Sequence, residues 1–210
     1  LAVFSFSGQL PYNFQKASIL TYVIYLIARP VTQLYSTPEK SPITSWAYSI
    51  LGQIYVVLPL ALLGVWGYKS DYQLFMNTEY LLMALFVFVW TNDTGAYIVG
   101  CTLGKHRLFE RISPKKSWEG FFGGLVFCII LASLANYIIP GMLSTAQWIG
   151  MGILTSIFST WGDLCESLLK RTAGVKDSGK ILPGHGGILD RFDSELIASP
   201  VIFIYLTFVL

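Results

Sequence analysis

The stretch YLLMALFVFVWTNDTGAYIVGCTLG, residues 80–104, decides the class of fold. Its first half is uniformly apolar, and the whole stretch exceeds the ~20 residues with which a helix crosses a bilayer. Of the 210 residues in the chain, 54% are hydrophobic and only 12% are charged. Long apolar runs with few charges indicate membrane spans rather than the core of a soluble domain. We therefore expect an all-α fold, a polytopic transmembrane helical bundle.

About six spans are predicted from such runs. They cover residues 17–35, 43–66, 80–104, 121–139, 147–165 and 195–210. The last run is a few residues short for a span unless it begins near Asp190. The loops are too short to fold alone, so we expect one integral-membrane domain over residues 1–210, preceded by an N-terminal piece because the chain begins at Leu1.

Positive charge is concentrated in two segments, which hold ten of the 14 lysines and arginines. Under the positive-inside rule both segments face the cytoplasm, so a site built on them would also face the cytoplasm. Because the chain is compact, we expect an inner or plasma membrane of bacterial type. The basic residues of the first segment keep that segment on the cytoplasmic side, contact phosphates or anionic lipids, or do both. The ten residues are Lys105, Arg107, Arg111, Lys115, Lys116, Lys170, Arg171, Lys176, Lys180 and Arg191.

Asp93 lies inside the third predicted span. A carboxylate is costly in hydrocarbon, so Asp93 is a candidate functional residue; the alternative is a structural aspartate hydrogen-bonded to another helix. Tyr97 follows four residues later and shares the same helix face. Gly95 and Gly100 would let another helix approach closely.

The end of the fifth predicted span carries Asp163, Glu166, Ser167 and Lys170. Their spacing places them on one face of a helix, with two carboxylates, a hydroxyl and a cation in a row. This face is either part of a site or simply the solvated end of a helix.

The segment that follows, SLLKRTAGVKDSGKILPGHGGILDRFD at residues 167–193, is the most polar of the chain. Lysine and arginine bind phosphate oxygens, and Lys170, Arg171 and Lys176 lie within a short reach of one another. Glycines among them allow backbone amides to approach an anion. His185, between two glycines, either donates to a phosphate, acts as an acid or base, or hydrogen-bonds the loop.

Carboxylates complete this polar segment. Asp190 and Asp193 are three residues apart and can point the same way from a helical turn, and Asp163 would join them if the fifth span packs beside the sixth. Hard carboxylate oxygens suit Mg²⁺, which bridges protein carboxylates to substrate phosphates. Cations for phosphates and carboxylates for a metal indicate phosphoryl or nucleotidyl transfer.

Two other kinds of site do not fit the sequence. It contains no GxxxxGK[ST] phosphate-binding loop. The three cysteines, Cys101, Cys128 and Cys165, are scattered and have no zinc-ligand spacing. We expect no nucleic-acid partner.

Three segments resemble those of the CDP-diacylglycerol synthases, or phosphatidate cytidylyltransferases. They are DTGAY at residues 93–97, SPKKSWEG at 113–120, and the run from Ser167 to Asp193 with its SLLKR, KDSG and LPGHGGILDRFD parts. The last run fills every constrained position of that family's signature. Before Asp93 the resemblance rests on hydrophobicity alone.

The resemblance implies a lipid bilayer, two substrates and a metal. Such enzymes join phosphatidate to CTP with Mg²⁺, giving CDP-diacylglycerol and pyrophosphate. By position, Asp163, Asp190 and Asp193 would hold the metal, and with Lys170 they form the expected catalytic set. A second, monovalent cation and a homodimer are left open. The substrate-binding set would be Asp93, Lys115, Lys116, Lys170, Arg171, Lys176, His185 and Arg191.

Other functions compete with this one. Asp93 with basic loops would also suit an ion pathway in a transporter or channel, although the charges gather at one membrane face. A related lipid or polyprenol kinase, or a cytidylyltransferase for another lipid, is the second alternative. The third is a relative without catalytic activity.

Overall fold

The computed structural model describes residues 12–35, 41–67, 78–181 and 186–210. Within these ranges the chain is mostly helical. A π-helical turn, Gln53–Val57, interrupts the helical stretch at residues 42–67, and a small hairpin lies between residues 103 and 118. The helices and strands are α1 Tyr12–Leu34, α2 Pro42–Gly52, α3 Leu58–Gly67, α4 Thr78–Leu103, β1 Arg107–Phe109, β2 Ser113–Ser117, α5 Trp118–Ile138, α6 Thr145–Thr172 and α7 Leu189–Val209.

Four helical stretches within the described ranges are long and apolar enough to cross a membrane: Pro42–Gly64, Glu79–Leu103, Trp118–Ile138 and Leu189–Val209. The all-α membrane-bundle prediction is therefore confirmed. The runs predicted at 17–35 and 147–165 are also helical, as parts of α1 and α6, but they are not among the four. The last span begins at Leu189 rather than residue 195, which supplies the length that the sequence left short.

One face of α5 shows what surrounds the bundle. Four apolar residues follow one another at four-residue intervals, and each is more than half exposed: Phe122, Val126, Ile130 and Leu134. Such spacing makes a continuous stripe on a helix. A stripe of this size is unfavourable in water but not in lipid, so this face of α5 is suited to contact acyl chains.

The backbone divides into two compact units, Leu1–Tyr80 and Leu81–Leu210. In the first unit, Arg29 ties α1 to α2 by donating to Ser49 Oγ from Nε at 3.1 Å and from a terminal nitrogen at 2.8 Å. Pro59 has no N–H to donate, and the π-helical turn lies just before it. The expected single domain stays a prediction.

In the second unit, a buried amide joins α4 to α6. Asn92 Nδ2 donates to Ser159 Oγ and Thr160 Oγ1, each at 3.2 Å, and Asn92 Oδ1 accepts from Ser156 Oγ at 2.6 Å. All four residues are buried. Buried polar groups are costly unless paired, so this network fixes the two helices against each other in one register.

Close packing of α6 against α7 depends on a glycine. A Cβ at Gly162 would lie 2.6 Å from the carbonyl oxygen of Asp193 and 2.9 Å from that of Ser194. Only a residue without a side chain allows α7 to begin so near α6. Asp163 therefore lies beside the start of α7, which is the packing that a site shared with Asp190 and Asp193 requires.

The first basic segment, expected as a loop, is a two-stranded antiparallel hairpin with Arg107 opposite Ser117. Glu119 holds its base: the carboxylate lies 2.6 Å from His106 Nδ1 and accepts the backbone N–H of Lys105 and of His106 at 3.2 Å. Ser117 caps α5 by accepting the Gly120 N–H at 3.1 Å.

Candidate active site

A polar cavity of about 280 Å³ lies within the second unit, among α4, the hairpin, α5 and α6. It brings together Asp93 and Tyr97 of α4, Lys115 and Lys116 of β2, and Asp163 of α6. The remaining lining residues are Asn92, Ala96, Gly100, Leu108, Ser117, Gly120, Phe121 and Thr160. The shared helix face of Asp93 and Tyr97 is thus confirmed, and four predicted site residues meet in one place.

Lys116 and Asp163 form an ion pair inside this cavity. Lys116 Nζ lies 2.7 Å from Asp163 Oδ2 and 3.5 Å from the backbone oxygen of Thr160. Both side chains are only partly exposed, at 26% and 32%. Asp93 is close enough to both to interact with them electrostatically. The cavity therefore combines a positive charge with two negative ones.

A second cluster centres on Lys170, near the end of α6. Its Nζ lies 2.7 Å from Glu166 Oε2 and 2.7 Å from Asp190 Oδ1. Burial raises the pKa of Glu166, which lies beyond the predicted fifth span, to about 7. Burial lowers the pKa of Lys170, but its hydrogen bonds to Asp190 and Glu166 outweigh burial and raise that pKa above its ordinary value. Lys170 is therefore a charged ammonium held in place by carboxyl groups on two helices.

Asp190 also holds the loop that precedes α7. Its Oδ2 accepts from the Ser178 backbone N–H at 2.9 Å, from Ser178 Oγ at 2.8 Å and from the Gly187 N–H at 2.7 Å. Gly186 has a φ of 79°, and a Cβ there would lie 2.7 Å from Asp190 Oδ2. A glycine is needed at this position for both its backbone conformation and the space it leaves.

Asp193 interacts with residues of both the polar cavity and the cluster around Lys170. Its Oδ1 accepts the backbone N–H of Ser194 at 2.7 Å, and its carboxyl group is close enough to that of Glu166 to interact with it. It interacts electrostatically with Asp163 and with Asp93. Carboxyl groups from α4, α6 and α7 therefore gather where the helices meet.

The carboxyl groups do not form a complete metal site by themselves. Within the described ranges, no three His, Cys, Asp or Glu side chains converge closely enough to hold an ion. Asp190 is already engaged with Lys170 and the loop. Mg²⁺, however, is usually bound by one or two carboxylates together with substrate phosphates, and Asp163 and Asp193 supply such a pair from neighbouring helices. Their chemistry fits Mg²⁺, and the metal set of Asp163, Asp190 and Asp193 stays a prediction.

The other predicted phosphate-binding residues lie at the exposed edge of the second cluster. Arg171, Lys176 and Arg191 are exposed, and Arg171 donates to the Val175 carbonyl at 3.4 Å. His185 lies outside the described residues. Lys170, in the same segment, lies against two carboxylates.

Four residues of this region were not predicted as site residues. Asn92 and Thr160 line the polar cavity, Glu166 holds Lys170, and Ser178 holds Asp190. The pattern of residues 163–170 had already placed Glu166 on the same face as Lys170, and their ion pair confirms that spacing. Asn92 carries a weaker signal, a second polar residue beside Asp93 in an apolar span. Nothing in the spacing of Ser178 pointed to Asp190.

Comparison with known proteins gives one family. The model of the cytidylyltransferase family matches residues 1–209. The phosphatidate cytidylyltransferase of Staphylococcus aureus (strain COL) is 41% identical over 160 residues, and that of Staphylococcus haemolyticus (strain JCSC1435) is 41% identical over 159. Each alignment covers 76% of this chain and 61% of the relative. The chain therefore matches about three fifths of the length of these curated relatives.

Proposed function

Because the chain belongs to the cytidylyltransferase family, we propose that it transfers CMP from CTP to phosphatidate, with release of pyrophosphate and formation of CDP-diacylglycerol. Two relatives at 41% identity carry the name phosphatidate cytidylyltransferase, which supports this choice of substrates. The site described above contains the groups that such a reaction needs.

The observation that carries the proposal is the ion pair of Lys116 and Asp163 in a polar cavity beside Asp93. A phosphate entering this cavity would meet lysines on the hairpin and carboxylates on two helices. Separating Lys116 from Asp163 frees the ammonium for a phosphate oxygen and the carboxylate for a metal ion. Lys116 and Asp163 would thus exchange each other for a phosphate and a metal ion, so the site would be complete only when the substrates are bound.

The proposed reaction is one in-line displacement. An oxygen of the phosphatidate phosphate forms a bond to the α-phosphorus of CTP, while the bond from that phosphorus to the pyrophosphate oxygen breaks. Pyrophosphate leaves with the electron pair. Positioning and charge stabilisation supply most of the catalysis in such transfers, because the transition state carries spread negative charge.

The roles of the basic residues follow from their positions. Lys115 and Lys116 line the polar cavity and would bind the phosphate of the lipid there. Lys170, held between Glu166 and Asp190, would contact the nucleotide phosphates, with Arg171 and Lys176 at the exposed edge and Arg191 and His185 nearby in sequence. Lysine serves as a point charge for phosphate, and arginine as a two-pronged donor.

Mg²⁺ would be held by Asp163 and Asp193, with Asp190 joining them at the expense of its contact with Lys170. The ion, when bound, neutralises phosphate charge and stabilises the leaving pyrophosphate. Asp93, electrostatically linked to Asp163 and Asp193, would keep the surroundings of the cavity negative enough to retain a cation.

The site would face the cytoplasm at headgroup depth. The hairpin carries several of the basic residues, and the positive-inside rule assigns such a segment to the cytoplasmic side. CTP would then enter from the cytoplasm, and phosphatidate would reach the same site from the inner leaflet.

Transfer of labelled CTP into lipid tests the proposal. Purified protein in detergent is given CTP labelled on its cytosine and Mg²⁺, with phosphatidate, with diacylglycerol, or with no lipid. We expect label in the lipid fraction only with phosphatidate. Label that appears only with another lipid would assign a different substrate, and a lipid labelled only from γ-labelled CTP would indicate a kinase.

A further inference from the structure

α6 has a second face that lines a cavity, distinct from the face that carries Asp163 and Lys170. A stripe of apolar residues at helical spacing lines a separate cavity of about 620 Å³. The stripe consists of Ile157, Trp161, Leu164, Cys165 and Leu168. One turn of the same helix therefore presents a carboxylate to the polar cavity and apolar side chains to this second cavity.

The other walls of this apolar cavity come from three elements. The hairpin and the turn within it contribute Leu108, Phe109 and Ile112, and the start of α5 contributes Trp118 and Phe121, with Ile197 added from α7. Trp161, Phe109 and Trp118 are each about half exposed, at 50%, 49% and 47%. The lining side chains are apolar apart from the weakly polar thiol of Cys165 and the indole N–H groups of Trp118 and Trp161.

The apolar cavity adjoins the polar one. Leu108 and Phe121 line both, so a single layer of side chains separates the space beside Lys116 from the apolar space. The apolar cavity has more than twice the volume of its polar neighbour. A cavity lined by charged side chains that adjoins a cavity without them matches a ligand with a charged head and a long apolar tail.

We propose that this apolar cavity binds an acyl chain of the lipid substrate while the phosphate of the same molecule occupies the polar cavity. The proposal rests on the proposed function, and it assigns Cys165, Ile157 and their neighbours a part in substrate recognition. The volume lies within the range of about 300–1,000 Å³ that is typical of ligand pockets. A chain seated here would tie binding strength to chain length, because each buried methylene adds apolar contact.

Filling the cavity tests this directly. C165F places an aromatic ring in the cavity, and C101F makes the same exchange on α4 at an exposed cysteine that lines neither cavity. The readout is the ratio of kcat/KM for phosphatidate with two palmitoyl chains to that with two octanoyl chains. We expect this ratio to fall at least about tenfold in C165F, since a pocket that loses contact with even one methylene loses roughly that factor, and to stay unchanged in C101F.

I157F, one to two turns further from the carboxylates, is the second filling variant in case C165F fails to fold. An unchanged ratio in whichever of the two is folded and active would overturn the proposal. So would an equal change of the ratio in C101F, because the effect would then not come from the cavity.

Crosslinking separates this inference from the proposed function. Phosphatidate carrying a diazirine at the end of one acyl chain is irradiated with the wild-type protein without CTP, and the labelled peptides are identified. We expect label on the segments containing Ile112 or Leu168, reduced in C165F and competed by unlabelled phosphatidate but not by phosphatidylcholine. Such label without turnover would retain the binding site while rejecting the reaction. Label spread evenly over exposed lipid-facing residues, or competed equally by both lipids, would mean bulk lipid only and would overturn the inference.

Discussion

Lys116 and Asp163 are far apart in sequence, yet their side chains meet at 2.7 Å in the polar cavity. The ion pair is partly exposed, so its contribution to stability is small. In the proposed reaction the two partners would separate, and Lys116 would bind a phosphate while Asp163 binds a cation.

Removing the cation tests this interpretation. K116M keeps most of the side-chain volume but cannot contact a phosphate, and we expect kcat/KM for phosphatidate to fall by a factor of about 10² to 10³, as when one charge-stabilising donor is lost. The measurement is CMP transfer under saturating CTP. K105M, an exposed lysine outside the polar cavity, is the matched control and should stay within about twofold. Equal losses in both variants would show that overall basic charge matters rather than Lys116.

Gly186 gives a second test at the scale of one residue. G186A must adopt a φ of 79° and also place a methyl group against Asp190 Oδ2. G174A is the matched control, because Gly174 has a φ of 71° and has nothing within 4 Å of its would-be Cβ. We expect both to lose about 1–2 kcal/mol of stability from backbone strain, and only G186A to lose most of its CMP transfer. Thermal unfolding and transfer assays on the same samples measure this, and equal activity in both would mean that the Asp190 contacts are dispensable.

Much of this residue-level picture was predictable from sequence, and the reason is local spacing. The shared faces of Asp93 with Tyr97 and of Glu166 with Lys170 follow from helical periodicity alone. Which lysine pairs with which carboxylate was not predictable, because Lys116 meets Asp163 through tertiary packing. The contact of Ser178 with Asp190 depends on the path of a glycine-rich loop, for which spacing carries no signal.

At the scale of elements, the site depends on how closely α6 and α7 approach. Gly162 sits where the backbone of α7 begins, and the would-be Cβ contacts are with backbone oxygens, which cannot move aside alone. The residue next to it is Asp163, so any shift of this contact changes the distance between Asp163 and Asp193. Helix packing and site geometry are thus linked at one position.

We expect G162A to be destabilised and impaired. Overpacking of this kind costs about 1–3 kcal/mol, which exceeds the gain of about 1 kcal/mol in helix propensity. The matched control is G52A, in α2, where a Cβ would meet nothing within 4 Å and the propensity gain should appear by itself. Thermal unfolding in detergent compares the two. A more stable G162A would show that α6 and α7 can move apart without cost.

The hairpin is an element that the sequence did not predict. SPKKS reads as a polar loop because its lysines and proline give no apolar alternation. The strands form because the base of the hairpin is held from outside, by Glu119 accepting the N–H groups of Lys105 and His106. The apolar run alone begins at residue 195, because Asp190 and Asp193 obscure the apolar period, and the alternative start near Asp190 is confirmed by a helix that begins at Leu189.

At the scale of the whole molecule, the orientation in the membrane decides which substrates can reach the site. The hairpin precedes α5, and the turn between α5 and α6 lies at the opposite end of α5. In a variant with all three cysteines changed to serine, E110C and A146C report these two ends, because both positions are exposed.

A membrane-impermeant maleimide should label A146C in intact cells and E110C only in inverted vesicles, because basic segments stay on the cytoplasmic side. Labelling of E110C in intact cells would place the hairpin outside. CTP from the cytoplasm would then have no access to the polar cavity.

The most direct test of the central claim is pyrophosphate release by the purified protein given CTP and Mg²⁺, with and without phosphatidate. The account predicts release that requires both phosphatidate and the metal, and that falls by a factor of at least about 10² in D163N while D163N remains folded. Release that persists at near wild-type rate in D163N, or that proceeds without phosphatidate, would contradict it.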